Sequence, residues 1–224
     1  MYQDGNLVRR PNAKLVLFQG DSITDNYRSK DCDTALSSGY PSMIAGIIGA
    51  KSKQPYDFLN RGISGNRVVD LLARWKKDCL NLKPDFLSIL IGVNDVWHEL
   101  FAQNGVDAEL YGQVYDLLLS QALKVLPKVQ LIVMEPFVLP GTSTAVENSW
   151  EIFFPEVRKR AEMCKKVAQK HGALYIELQS LLDQAAQKYG ADEVCVDGVH
   201  PTALGHYLIA QQWITSVGLS LNDN

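Results

Sequence analysis

Cysteine is sparse and scattered in this chain: Cys32, Cys79, Cys164 and Cys195 stand far apart with no Cys-x-x-Cys pair. That spacing argues against a zinc site and a disulfide framework, and fits reduced, mostly buried thiols. Long apolar runs are missing too. The longest, such as Leu15 to Phe18 and Leu131 to Met134, hold four to six residues, against the roughly 20 a membrane-spanning helix needs. Met1 to Pro11 carries Asp4, Arg9 and Arg10 and lacks the apolar centre of a secretory signal, so the expected location is the cytoplasm. Charge of one sign is also lacking. Lys and Arg number 22 against 25 Asp and Glu, for a net charge of -3, and no stretch gathers five like charges, so a nucleic-acid partner has no electrostatic footprint. Neither G-x-G-x-x-G nor G-x-x-x-x-G-K-[ST] occurs, which removes the usual handles for nucleotides. With 224 residues, 46% of them apolar, and no repeat, low-complexity tract or linker, the expectation is one domain over residues 1–224.

What is present is an alternation of two periodicities. Lys14 to Gly20, Tyr56 to Asn60, Asp85 to Ile91, Val129 to Met134 and Ala173 to Ile176 read as short strands covered on both faces. Between and after them, Tyr40 to Gly49, Val68 to Leu80, Ala108 to Leu126, Glu147 to His171, Gln179 to Tyr189 and Ala203 to Val217 have helical spacing. In the third of these, Leu110, Val114, Leu117 and Leu118 form an apolar stripe, and Pro127 stops the helix. Strands alternating with helices specify parallel crossovers, so the expected fold is an α/β three-layer sandwich around a five-stranded parallel sheet. Ligands of such folds bind beyond the carboxyl ends of the strands, which makes the strand exits the informative segments.

Ser22 follows Gly20-Asp21 at the first of these exits, where a turn would lift its hydroxyl onto the ligand-binding edge. Taken alone it could equally be a turn or cap serine. Near the other end of the chain, Asp197-Gly-Val-His200-Pro201 sets a carboxylate three residues from an imidazole in a loop marked by Gly and Pro. Such a turn can hold the carboxylate against Nδ1 and leave Nε2 free to take a serine proton. A serine hydroxyl needs that base, and the intermediate it forms needs donors for its oxyanion. Gly65 in Gly62-Ile-Ser-Gly65-Asn66 offers a backbone N–H with no side chain in the way; Asn94 in Gly92-Val-Asn94-Asp95 offers a carboxamide N–H; Ser22 offers its own N–H.

These four blocks, GDSIT at 20–24, GISGN at 62–66, GVND at 92–95 and DGVHP at 197–201, resemble the SGNH superfamily of GDSL-type hydrolases, in the family's order. The resemblance implies a flavodoxin-like SGNH hydrolase fold. It also implies Ser22 as nucleophile, Ser22, Gly65 and Asn94 as the oxyanion hole, His200 as base and Asp197 as its orienting carboxylate. Further matches, GDSITD, GY at 39–40, RGISGN, ARW at 73–75, KPD at 83–85, IGVNDVW and the DxVHPTxxGH ending, look like the acetylxylan esterase subgroup over about Leu15 to Gln212. The activity so implied is removal of O-acetyl groups from a small acetylated saccharide, a xylo-oligosaccharide in that subgroup, through an acyl-enzyme, with no cofactor and no metal. A lysophospholipase, thioesterase or arylesterase of the same superfamily is the alternative. A carbohydrate-binding protein that has kept only the fold is the non-catalytic one.

Other residues near the blocks have plainer readings beside the functional ones. Trp97 could wall a sugar site or fill the core, and Asp21 is a candidate for substrate contact or, with Asp25 and Asp95, a turn stabiliser. His206 reads as a packing or capping residue and not a metal ligand. His98 and His171 read as surface groups, Arg67 and Arg74 as helix-surface or interface charges, and Gly62 as a turn glycine with positive φ. Residues 136–154 carry no motif. Self-association fits the chain's size, but no interface stripe marks it.

Overall fold

In the computed structural model, which describes residues 2–3, 6–7, 9–146 and 149–218, strands and helices alternate along most of the chain. A short antiparallel pair, β1 (Tyr2–Gln3) and β2 (Asn6–Leu7), comes first. Then follow β3 (Lys14–Gly20), α1 (Ser22–Asp25), α2 (Tyr40–Lys51) and β4 (Tyr56–Asn60). Next come α3 (Val68–Asp78), a 3₁₀ turn at Leu80–Leu82, β5 (Phe86–Leu90), α4 (Val93–Ala102) and α5 (Ala108–Val125). The last stretch holds β6 (Gln130–Met134), α6 (Trp150–Lys170), β7 (Leu174–Ile176), α7 (Gln179–Tyr189), α8 (Ala191–Val194) and α9 (Ala203–Val217).

The five expected strands pair in one parallel sheet of order β4-β3-β5-β6-β7. Side chains alternate across it, as the pleat requires. Leu15 and Leu17 of β3 join a core with α3 and α5, whereas Val16 and Phe18 join the core on the other face with α2 and α9. Helix α6 reaches both cores, Phe153 and Val157 packing in one and Cys164 and Val167 in the other. The chain leaves β3 for β4 on one side and later returns to β5 on the other. The carboxyl end of β3 is therefore the topological switch point, where open α/β sheets leave a crevice for ligands. Ser22 sits there.

Three readings of the sequence change. Along α5, Leu110 and Leu117 are each 43% exposed, while Tyr111, Val114, Tyr115, Leu118, Leu119 and Ala122 face inward. The two tyrosines have more surface to bury than the leucines, and the Tyr111 hydroxyl donates to Ile91 O at 2.9 Å, so they set the rotation of the helix. Second, helix α4 was not foreseen. Its block reads as a strand exit, yet Val93 continues into ten helical residues after Gly92. Third, the helix expected from Glu147 is described from Trp150; Glu147 and Asn148 lie outside the described residues. Among the described residues no helix is long and apolar enough to cross a membrane.

Candidate active site

The site is assembled from three strand exits, those of β3, β4 and β5, and from the loop between α8 and α9. Asp21 ends the turn after β3 and caps α1, its Oδ1 accepting from Ile23 N–H at 3.0 Å. This fixes Ser22 as the first helical residue, with its hydroxyl on the crevice side. Ser22 Oγ lies 2.9 Å from Nε2 of His200, a residue 178 positions away. On the far side of the ring, Nδ1 lies 2.9 Å from Asp197 Oδ2. The other oxygen, Oδ1, accepts the N–H groups of Val199 at 3.0 Å and His200 at 2.8 Å. Partial burial alone would raise the Asp197 carboxyl, but the bonds from His200 and Val199 outweigh it and hold the group below its ordinary value. An ionised Asp197 keeps the proton on Nδ1 and directs the lone pair of Nε2 toward Ser22.

Leu139 and Ser143, in the stretch 136–154 that is silent in the sequence, brace this loop. Leu139 N–H donates to Gly198 O at 2.8 Å and Ser143 N–H to Asp197 O at 2.9 Å. Ser143 Oγ donates to Asp197 Oδ2 at 3.1 Å, a third partner for the carboxylate that no motif announced.

The second exit, after β4, carries the loop of Gly65. Here Gly62 corrects an expectation, since its φ is not positive. What excludes a side chain is the close approach of α1, where an added Cβ would lie 2.4 Å from Asp25 N. Gly65 does take φ 81°, and a Cβ there would meet open space. The loop is tied down on both flanks. Asp25 Oδ2 accepts Ser64 N–H at 3.0 Å and Ser64 Oγ at 2.9 Å, and Asp95 accepts Val68 N–H at 3.1 and 3.3 Å. Asp25 and Asp95 therefore stabilise turns, as their positions suggested. Burial pushes Asp95 up to about 8.

Because the third exit opens directly into α4, Asn94, Trp97 and His98 stand at positions i, i+3 and i+4 and share one helix face. Asn94 Nδ2 donates one hydrogen to Asn66 O at 3.1 Å, leaving the other for a ligand. Ser22, Ser64, Gly65, Asn94, Trp97, His98 and His200 line a cavity of about 270 Å³. A second cavity of about 430 Å³ opens on the α1 side of the same Ser22 and His200, lined also by Asp25, Asn26, Tyr27, Arg28, Lys30 and Ser64. His98 is thus no plain surface group. Trp97 packs edge-on against buried Phe153 at 6.2 Å and lies 5.8 Å from the His200 ring.

Several side chains stand elsewhere than expected. Asp21 is 1% exposed, so its carboxylate supports α1 from below and does not reach the crevice as a substrate contact. Its Oδ2 has no hydrogen-bond partner among the described residues, and burial pushes the group up to about 7. Arg74 is no surface charge. Its guanidinium donates to Asn66 Oδ1 at 2.8 Å and Gln19 Oε1 at 2.9 Å beneath the loop. At the start of α3, Asp70 Oδ2 accepts the Arg67 backbone N–H at 2.8 Å and its Nε–H at 3.0 Å, and Arg67 also donates to Asn104. His171 is 11% exposed and held 2.6 Å from Asp116. His206 is buried and accepts Tyr40 N–H at 3.3 Å; burial first, then the nearby His200, lowers it to about 4. All four cysteines are free, and Cys32 is the one not buried.

The family model for the GDSL-like lipase/acylhydrolase family matches residues 18–208. An acetylxylan esterase of Geobacillus stearothermophilus is 30% identical over 214 residues, which cover 92% of this chain and 95% of that one. Among solved structures, a Parabacteroides merdae protein described as a GDSL-like lipase superposes with a TM-score of 0.86 at 34% identity, covering 94% of this chain and 99% of its own. The acetylxylan esterase Axe2 of Geobacillus stearothermophilus superposes with a TM-score of 0.83 at 27% identity, over 96% of this chain and 100% of that one. Catalytic mutants of Axe2 carry alanine in place of a serine or an aspartate.

Proposed function

The chain belongs to the GDSL-like lipase/acylhydrolase family and is a carboxylic ester hydrolase; from that premise we propose that it removes O-acetyl groups from saccharides through an acyl-enzyme on Ser22. The observation that carries this reading is the unbroken relay Ser22 Oγ, His200 Nε2, His200 Nδ1, Asp197 Oδ2, with 2.9 Å at each gap. As Ser22 Oγ attacks the ester carbonyl, His200 Nε2 takes its proton, and the carbonyl oxygen becomes an oxyanion facing Gly65 N–H, Ser22 N–H and the free Asn94 N–H. Collapse breaks the bond to the sugar oxygen, which receives the proton from His200. Water then repeats the sequence: His200 takes its proton, its oxygen joins the acetyl carbon, and acetate leaves as Ser22 regains its hydrogen.

The two cavities support a short acyl group and a polar alcohol. The smaller, lined by Trp97, suits acetyl, and the larger is lined by Asp25, Asn26, Tyr27, Arg28 and Lys30, whose polar groups can meet the hydroxyls of a sugar alcohol. Xylo-oligosaccharide acetates are the first candidates, because acetylxylan esterases are among the relatives. The test compares acetate release from acetylated xylo-oligosaccharides, glucose pentaacetate and p-nitrophenyl acetate with acyl release from p-nitrophenyl octanoate and a lysophospholipid. Preference for the acetates is the expected result. Faster release of octanoate or of the lysophospholipid acyl chain would overturn the saccharide reading while leaving the esterase.

A further inference from the structure

On the α1 side of Ser22 the crevice has a wall that neither packing nor backbone geometry explains. Tyr27 is 96% exposed, so its ring adds nothing to the core. Its backbone lies at φ 60°, directly after Asn26 at φ 33°, in the left-handed region where glycine or asparagine is less strained than tyrosine. The turn itself is held by other groups. Asn26 N–H donates to Ser22 O at 2.9 Å and Arg28 N–H to Asp25 O at 2.8 Å. The Arg28 side chain, 7% exposed, donates to Gly62 O at 2.8 Å, and Asn26 Nδ2 donates to Ser38 Oγ at 3.2 Å. A strained residue in a turn others hold points to use at a site. Tyr27 has the position for it, since it lines the cavity of about 430 Å³ together with Ser22 and His200.

We propose that Tyr27 is a specificity-determining residue, a platform on which a pyranose ring in the alcohol half of the ester rests while Ser22 acts on its acetyl group. A phenol ring presents an apolar face and a polar tip, matching the C–H face and the hydroxyl rim of a sugar. Lys30 and Asn26 beside it in the cavity can meet hydroxyls. This assignment rests on the reading of Ser22 as nucleophile of a saccharide acetylesterase, and it extends that reading by naming the residue that selects the sugar.

The test uses the ratio of kcat/KM for acetylated xylotriose to kcat/KM for ethyl acetate, whose alcohol offers no ring to stack. In Tyr27→Ala and Tyr27→Gly the ratio should fall about threefold to tenfold, the scale of one aromatic contact, mainly through KM for the sugar. Tyr27→Phe should restore it. Tyr27→Gly should melt no lower than the wild-type protein, because glycine accepts φ > 0 without strain, so a lower ratio there is not misfolding. An unchanged ratio in the Ala and Gly variants, with wild-type turnover of both esters intact, would overturn the role of Tyr27 alone. Wild-type protein that releases acetate from neither ester would overturn the acetylesterase reading and this assignment with it.

Discussion

Arg74 Nε lies 2.8 Å from Asn66 Oδ1, and the main-chain carbonyl of the same Asn66 receives the carboxamide of Asn94. A guanidinium under the sheet edge is thereby linked through one residue to a proposed oxyanion donor. Gln19, fully buried on β3, accepts from the same guanidinium at 2.9 Å.

Arg74→Ala should therefore act on rate and stability together. It leaves Gln19 Oε1 without its donor, which costs about 1–3 kcal/mol, and it frees Asn66, so kcat should fall about 10- to 100-fold with little change in KM. Arg74→Lys should rescue neither fully, because an ammonium cannot reproduce the fork that serves Asn66 and Gln19 at once. Denaturant unfolding and steady-state kinetics on p-nitrophenyl acetate check both parts. Full rescue by lysine would mean that only the charge matters.

Asn94→Ala removes one N–H from the proposed oxyanion hole. The expected loss is about 10² to 10³ in kcat, the usual effect of deleting such a donor, with an unchanged circular dichroism spectrum. A rate within twofold of wild type would take Asn94 out of the hole.

The site was more legible in the sequence than its supports. Ser22, Gly65, Asn94, Asp197 and His200 stand in short blocks whose chemistry constrains residue type and spacing, so they could be read without coordinates. The central strands β3, β5 and β6 were readable because a strand buried on both faces is almost continuously apolar. Arg74 and Ser143 were not readable, since what they do depends on long-range approach: Arg74 meets Gln19 across 55 residues and Ser143 meets Asp197 across 54. His98 carried a signal that went unused. Once GVND is taken to start a helix, Asn94, Trp97 and His98 fall on one face. Leucine spacing alone mispredicts the rotation of α5, because Tyr111 and Tyr115 have the larger area to bury and decide which side turns inward.

The pH dependence of stability should carry the mark of His206. Its value of about 4 in the folded protein stands below the 6.5 of a free imidazole, so the unfolded chain binds the proton more readily. This contribution is fully present above about pH 6.5 and is lost as pH falls through 4, a difference of about 3 kcal/mol. Asp21 and Asp95, raised to about 7 and 8, work in the opposite sense, since their folded forms hold protons longer and they lose stability as pH rises. His206→Asn, which keeps an acceptor for Tyr40 N–H, isolates the histidine. Urea unfolding at pH 7 and pH 4.5 should show a smaller acid-induced loss in the variant than in wild type. Equal losses would mean that His206 titrates normally.

The decisive measurement is covalent labelling with an organophosphonate, followed by intact mass and peptide mapping alongside residual acetate release. A poised Ser22 Oγ, 2.9 Å from its base, predicts one phosphonyl group per chain, carried on Ser22, with activity lost in proportion to labelling and no label in Ser22→Ala or His200→Ala. Full labelling of Ser22 with acetate release undiminished, or inactivation that follows modification of another residue, would contradict the account.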